Sequence, residues 1–443
     1  MMIALERVVI GLICLVLCAL SIDVWMINTG DFYRAVFPFL DNVKEFTTNH
    51  SLIYTMRDEF LPITDYEYKS SFSIILYLYA SIVSLFTHTF DLRIWSSLSK
   101  IIYVISLYAL FSSIIKNKRL IFLFPVFLVP LVTPSIISQF SSFYQEQILI
   151  TLLPVMAFCL AKNQRTKLDS AMLVVSVLII STSKSQFFYL PILVSFAEFI
   201  FKKNKSIPFH LSMFFIVIIA IACSTGSKKA TVNNNYHSLY FGTLLYNKLN
   251  NIKNPAWVNE KCVGVDAWGN KFDLTKGAVQ SIQPGVCISE SKGKGIKESL
   301  SIIMDDPSMI IKLPFDKGIG TQLTERYFHV YKETNLIINK NNFLTGVMEV
   351  KDELLAKIRI PFAALFMLCA FLIRNKLVAS TVFVLSSFTV SQFYISFMGE
   401  GYRDLSKHLF GMNYCFDLLL FFIIVSIIST ALETGARRAH QAQ

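Results

Sequence analysis

Asp31 is the first residue whose type and place suggest chemistry. It falls in Asn28-Thr29-Gly30-Asp31-Phe32-Tyr33-Arg34, directly after the first apolar run. A carboxylate fixed at a helix end near an interface can take a proton from an acceptor hydroxyl or hold a cation. The plainer reading is a solvated helix C-terminus with Gly30 as the left-handed residue. Arg34, on the same stretch, is a candidate substrate contact. Later in the loop come Arg57-Asp58-Glu59, then Asp65, Glu67 and Lys69. Asp58 and Glu59 are candidate acidic partners, and the others read as a hydrated face.

Three shorter turns carry the remaining candidates. Ser141-Ser142-Phe143-Tyr144-Gln145-Glu146-Gln147 holds one carboxylate between two apolar runs. Charges at membrane depth are expensive and generally functional, against a helix-dipole contribution of only ~0.3–1 kcal/mol. Tyr144 and Gln145 beside Glu146 are candidate substrate contacts. Thr182-Ser183-Lys184-Ser185-Gln186 isolates one lysine, which either holds a phosphate or snorkels to the interface; Gln186 is a further substrate candidate. Gly399 to His408 crowds Arg403, Lys407 and His408 before the last apolar run, where helix N-termini and basic side chains suit an anion. Carboxylates early and cations late are the kit for transfer from a phosphate leaving group: a base takes the acceptor proton, and cations receive the departing charge.

These residues need a membrane to position them. The chain is 54% hydrophobic and 16% charged over 443 residues, more apolar surface than a soluble domain of this length can bury. Its apolar runs are helical in length and do not alternate, so helices rather than a barrel are expected. Val8 to Ile27 reads as a retained first span rather than a signal peptide, because no small-x-small site follows. The net charge of +11 sits in short clusters between apolar runs, which is how membrane topology is written, so nucleic acid is not an expected partner.

Five clusters lack carboxylates: Lys116 to Arg119, Lys162 to Lys167, Lys202 to Lys205, Arg374 to Lys376, and Arg437-Arg438. Placed inside, they predict spans near 98–115, 120–138, 147–161, 168–183, 187–201, 206–223, 357–373, 377–397 and 409–431, about ten crossings in all. Ser71 to Phe90 fits this threading only as a helix along the outer leaflet, which keeps 28–97 external. The expected architecture is an all-α polytopic membrane protein. An N-terminal membrane module spans 1–223, with its first loop at 28–97. A mixed α/β or irregular soluble insert occupies 224–356, and C-terminal membrane helices occupy 357–443. Cys262 and Cys287 are the two of eight cysteines outside apolar runs. In an oxidising compartment they are expected to pair, contributing roughly 3 kcal/mol. No CxxC or cysteine–histidine spacing suggests a metal.

This layout resembles the integral-membrane glycosyltransferases of the GT-C class, most closely the phage-type serotype-converting O-antigen glucosyltransferases. The likeness covers nearly the whole chain, while its local carriers, Ser142-Phe143-Tyr144-Gln145-Glu146 and Lys407-His408, are short. The resemblance implies an inverting inner-membrane enzyme with cytoplasmic termini and a periplasmic site. It would move glucose or another hexose from undecaprenyl-phosphate sugar to a lipid-linked O-antigen acceptor. It also implies Asp31 as base, Glu146 as second carboxylate, Lys184, Arg403, Lys407 and His408 on the phosphate, and Asp58-Glu59 as an alternative acidic pair. A small flippase and a cytoplasmic-face polyprenyl-phosphate glucosyltransferase would supply the donor. The chain lacks an obvious DxD, so no cofactor is expected and a divalent metal is unsupported. The rivals are an O-antigen polymerase or ligase, which would lean on arginine-rich outer loops, and a flippase or transporter, which would place polar groups at the bilayer midplane.

Overall fold

The computed structural model describes residues 2–29, 32–44, 48–49, 51–66, 68–115, 117–162, 164–224, 228–267, 284–291, 293–325, 337–338 and 342–441. Asp31, Gly30 and Glu67 lie outside the described residues. Among the described residues, the chain is a helical membrane bundle with three two-stranded antiparallel pairs at one end. Its helices include α1 (Met2–Leu20), α2 (Ser71–Val83), α3 (Leu92–Ile114), α4 (Pro134–Phe140), α5 (Glu146–Ala161), α6 (Lys167–Ser183), α7 (Leu190–Lys202) and α8 (Ile207–Ser224). After them come α9 (Lys228–Ser238), α10 (Asn342–Leu355), α11 (Arg359–Cys369), α12 (Lys376–Glu400), α13 (Leu405–His408) and α14 (Phe410–Gln441).

Among the described residues, four helices are long and apolar enough to cross: Leu92–Ile114, Ile207–Ser224, Lys376–Glu400 and Phe410–Leu432. Two bent pairs raise that to six, fewer than the roughly ten crossings expected from ~20-residue runs. The difference lies in helix length and straightness. The run expected as one span at 120–138 breaks into Leu120–Leu131 and Pro134–Phe140 at 88°. Pro134 opens α4, where its missing N–H does no harm. The run at 357–373 is likewise preceded by α10, set at 69° to it, so the end of the expected soluble insert packs on membrane helices.

Polar side chains start the helices where the sequence supplies them. Thr166 and Asp169 form a reciprocal capping box on α6, with Asp169 N–H donating to Thr166 Oγ1 at 3.1 Å and Thr166 N–H to Asp169 Oδ2 at 2.9 Å. Asn375 caps α12 by accepting from Leu377 and Val378 N–H, and Asp91 caps α3 by accepting from Arg93 N–H.

The two ends of the bundle differ in chemistry. At one end Lys162 pairs with Asp169, Arg165 and Lys202 converge on buried Glu198, and Phe201 packs on Phe371 near Arg374. Tyr108 donates to Glu6 from the N-terminal helix, and Ser429 donates to Ile114 O. Both chain ends therefore run toward the basic clusters. The opposite end carries the first loop and the insert.

α2 has only 13 residues, roughly 20 Å at 1.5 Å each, short of the ~30 Å hydrocarbon core. Both of its flanks return to the insert end. Ser70 Oγ donates to Ser183 O at 2.6 Å, and Thr89–Asp91 pairs antiparallel with Ile53–Thr55. Its free face is apolar, with Ile74, Leu78 and Ile82 exposed and Leu85 and Phe86 exposed in the turn that follows, as suits a helix lying in lipid.

Within the insert, a disulfide joins Cys262 to Cys287 across 25 residues. The other six cysteines, all reduced, sit in the apolar helices. Protein from an oxidising compartment is expected to resist alkylation at Cys262 and Cys287 until reduced, and Cys262→Ser is expected to destabilise the insert by about 3 kcal/mol. Free thiols at both positions before reduction would contradict this.

Candidate active site

Glu146 is the first residue of α5 and is buried. The fold brings it to Lys184, the residue just after α6, with Nζ–Oε1 at 2.5 Å. The two lone charges of the second and third turns therefore form one ion pair across 38 residues. Lys407 approaches the same place from the last turn, its ammonium 5.2 Å from the centre of the Tyr144 ring. His408 follows, its Nδ1 3.1 Å from Gln186 Nε2. Four of the sequence candidates, Glu146, Lys184, Lys407 and His408, thus meet with Tyr144 and Gln186 at the insert end.

The backbone beneath them is held firmly. Gln147 Oε1 accepts from Trp95 Nε1 at 2.7 Å, and its amide nitrogen donates to Phe140 O at 2.7 Å. Phe143 N–H donates to Asn28 Oδ1 at 2.8 Å, and Asn28 Nδ2 donates to the Tyr54 hydroxyl at 3.1 Å. The first loop is therefore tied to the Glu146 turn three residues before Asp31. Gln145 is only half-buried. Tyr68, which sequence reasoning passed over, accepts from Ser185 N–H at 2.8 Å and lies within the fields of Arg34 and Glu146.

Other candidates have different surroundings. Asp58 and Glu59 are exposed, Asp58 facing only His88 among the described residues, at 3.7 Å, so neither joins the cluster. Arg403, expected on the phosphate, faces carboxylates: Asp266 at 3.0 Å, Asp404 at 3.2 Å and Glu400 at 3.5 Å. Its charge is largely committed to them. Burial first, then the nearby Lys184 and Lys407, push the His408 imidazole down to about 4 against the pull of Glu400. His408 is therefore neutral near pH 7 and can serve a phosphate only as a hydrogen-bonding group. Among the described residues no His, Cys, Asp and Glu group could hold a metal ion.

Asp417 is one of five buried ionisable groups. Lys351 Nζ lies 2.7 Å from Asp417 and 3.0 Å from Glu325. Arg359 bridges Glu325 at 2.5 Å and Asp352 at 3.0 Å. Ser135 donates to Glu325 at 3.1 Å. Beside this network lies an apolar cavity of about 700 Å³, lined by Val126, Phe127, Gly346, Val350, Leu420 and Ile424 among others.

A family model described as the YfdI N-terminal transmembrane domain matches residues 2–251 and 328–443. The protein called "Uncharacterized protein YfdI" of Escherichia coli (strain K12) is 42% identical over 417 residues, 94% of this chain and 94% of that protein. No solved structure matches. With its apolar helices, its bent spans and a match that runs through both membrane modules, the chain is a multi-pass membrane protein and belongs to the YfdI N-terminal transmembrane domain family.

Proposed function

We propose that the protein is an inverting glycosyltransferase of the bacterial inner membrane. It moves a glucosyl or other hexosyl group from undecaprenyl-phosphate sugar to a lipid-linked O-antigen or surface-polysaccharide acceptor at the periplasmic face. The observation that carries this reading is the convergence of Glu146, Lys184, Lys407 and His408 at one end of the bundle. A carboxylate beside two lysines fits one-step displacement at a sugar phosphate. The acceptor oxygen attacks the anomeric carbon, its proton passes to a carboxylate, and the bond to the phosphate oxygen breaks with its electrons on the phosphate.

The ion pair gives this chemistry an order of events. Lys184 is bound to Glu146 before substrate arrives. A donor phosphate drawn to Lys407 and Lys184 weakens that pair and leaves Glu146 with an uncommitted oxygen beside the acceptor hydroxyl. Asp31, which the resemblance implies as the base, is the alternative to Glu146 in this role.

The apolar cavity supports a lipid-borne substrate. It opens among membrane helices, and its volume of about 700 Å³ falls in the usual ligand-pocket range of ~300–1,000 Å³. α14 lines it with Leu420 and Ile424 and begins just after His408, so one helix runs from the charged cluster to the cavity. A Cβ on Gly346 would meet no atom within 4 Å. Gly346→Trp is therefore expected to fold and fill the cavity, raising KM for the lipid donor roughly tenfold with kcat little changed. An unchanged KM would remove the cavity from the donor path.

The five-group buried network is the one observation that favours the transporter rival, since ionisable groups within membranes often mark transport paths. Its internal pairing suits a structural role better. Purified protein in vesicles with radiolabelled polyprenyl-phosphate glucose and O-antigen lipid decides between them. Label in a branch of the acceptor supports the proposal. Label crossing the bilayer with no transfer, or longer polymer without branches, overturns it.

A further inference from the structure

We propose that His237 is a positioning residue that locks the turn bearing Lys407 and His408 onto the outer insert. His237 lies in the last turn of α9 and its side chain is wholly buried. One ring nitrogen lies 3.0 Å from Asp266 Oδ1, the other 3.1 Å from Glu400 Oε2. Glu400 ends α12, and its second oxygen lies 3.8 Å from His408 Nε2. Asp266, His237, Glu400 and His408 therefore form a line from the insert into the candidate site, reaching Gln186 at its far end. His237 itself touches none of Glu146, Lys184 and Lys407 in the contacts described above, so it acts through Glu400.

The backbone around this line supports the same role. α9 runs directly into a five-residue π-helix, Leu239–Thr243, a winding that is rare and frequent at functional sites. Carbonyls within it reach outward: Tyr240 O accepts from Gly264 N–H and Phe241 O from Tyr402 N–H, both at 2.9 Å. Gly401 has φ +61°, and a Cβ there would lie 2.2 Å from Phe241 O, so only glycine permits the approach. From the other side Gln322 donates to Tyr402 O at 2.8 Å and accepts from Leu405 N–H at 3.1 Å. Arg403 closes the cluster by bridging Asp266 and Asp404. The turn is thus gripped by two parts of the insert, with His237 as the pin between them.

The choice of donor KM as one readout rests on the sugar-transfer reading; the lock itself does not. His237→Gln keeps the size of the side chain and removes one of its two paired nitrogens. In the full-length protein, hydrogen exchange of peptides covering 397–409 is expected to accelerate, with exchange in α3 and α5 unchanged. In the transfer assay, His237→Gln and Glu400→Gln are each expected to raise donor KM about tenfold, as loss of a charged hydrogen bond does, with kcat and acceptor KM held within twofold. The double variant should be no worse than either single one. Unchanged exchange at 397–409 overturns the lock whatever reaction the protein performs. Additive single effects, or a fall in kcat alone, overturn the link between His237 and Glu400 as the route to the site. If wild-type protein shows no transfer, the functional reading fails while the exchange measurement still decides the lock.

Discussion

Glu146→Gln is expected to lower sugar transfer by roughly 100- to 10,000-fold, the range general acid–base groups supply, while insertion into the membrane stays normal. Glutamine keeps the shape of the side chain and can still accept a hydrogen bond from Lys184, which now lies 2.5 Å from the carboxylate. What it removes is the negative charge and the ability to take a proton. Donor binding should therefore survive, and even improve slightly, because Lys184 no longer has a fixed counter-ion. Lys184→Ala should do the opposite: donor KM rises and turnover falls less. The pair gives a further check. Because each residue is the other's partner, the double variant should resemble Glu146→Gln alone rather than the product of the two effects. Glu146→Gln with wild-type turnover would remove Glu146 from the chemistry and leave Asp31 as the base.

Arg359→Met is expected to destabilise the protein by about 3–5 kcal/mol. Arg359 is wholly buried and holds Glu325 at 2.5 Å and Asp352 at 3.0 Å. Methionine fills much of the space but leaves Lys351 as the one cation that pairs with Glu325 and Asp417, and takes from Asp352 its cation. An uncompensated buried charge is far more damaging than the loss of an exposed pair, for which ~0–1 kcal/mol is usual. A fall in detergent melting temperature on the order of 10 °C, or loss of folded yield, is the expected reading. Arg359→Lys should fall between, since it keeps the charge and loses the two-pronged geometry. Melting of Arg359→Met within a degree or two of wild type would mean that the network is not holding α10 and α11 to α14.

Glu146 and Lys184 were legible from sequence because each is a lone charge between apolar runs, and such charges at membrane depth rarely lack a task. Their direct pairing was not legible: it depends on how α5 and α6 pack, which hydropathy does not encode. The same limit hid Asp266, His237 and Glu400. They sit in stretches of mixed composition, and the His237–Glu400 contact spans 163 residues. Arg403 looked like a phosphate ligand because its own turn is basic. Its partner Asp266 comes from the insert, and only the fold shows the cation already engaged. Nothing in the spacing of Glu325, Lys351 and Asp352 shows that α10 turns back against the bundle and buries them.

The helical membrane class was plain in the apolar runs, and the count of straight crossings was not. Pro130 and Pro134 marked the break in the 120–138 run, yet a proline in an apolar stretch fits a kinked span as well as a sharp bend. α2 is too short to cross as a straight span, and charge threading rather than hydropathy singled it out as a helix along the membrane.

The most direct test of sugar transfer is to express the chain in a host of defined O-antigen structure, together with a source of polyprenyl-phosphate glucose, and determine the repeat unit by mass spectrometry and NMR. The account predicts one added hexose branch per modified repeat, present with the wild-type chain and missing with Glu146→Gln. An unmodified repeat in cells that hold folded protein and donor, or the same branch in the Glu146→Gln strain, would contradict it.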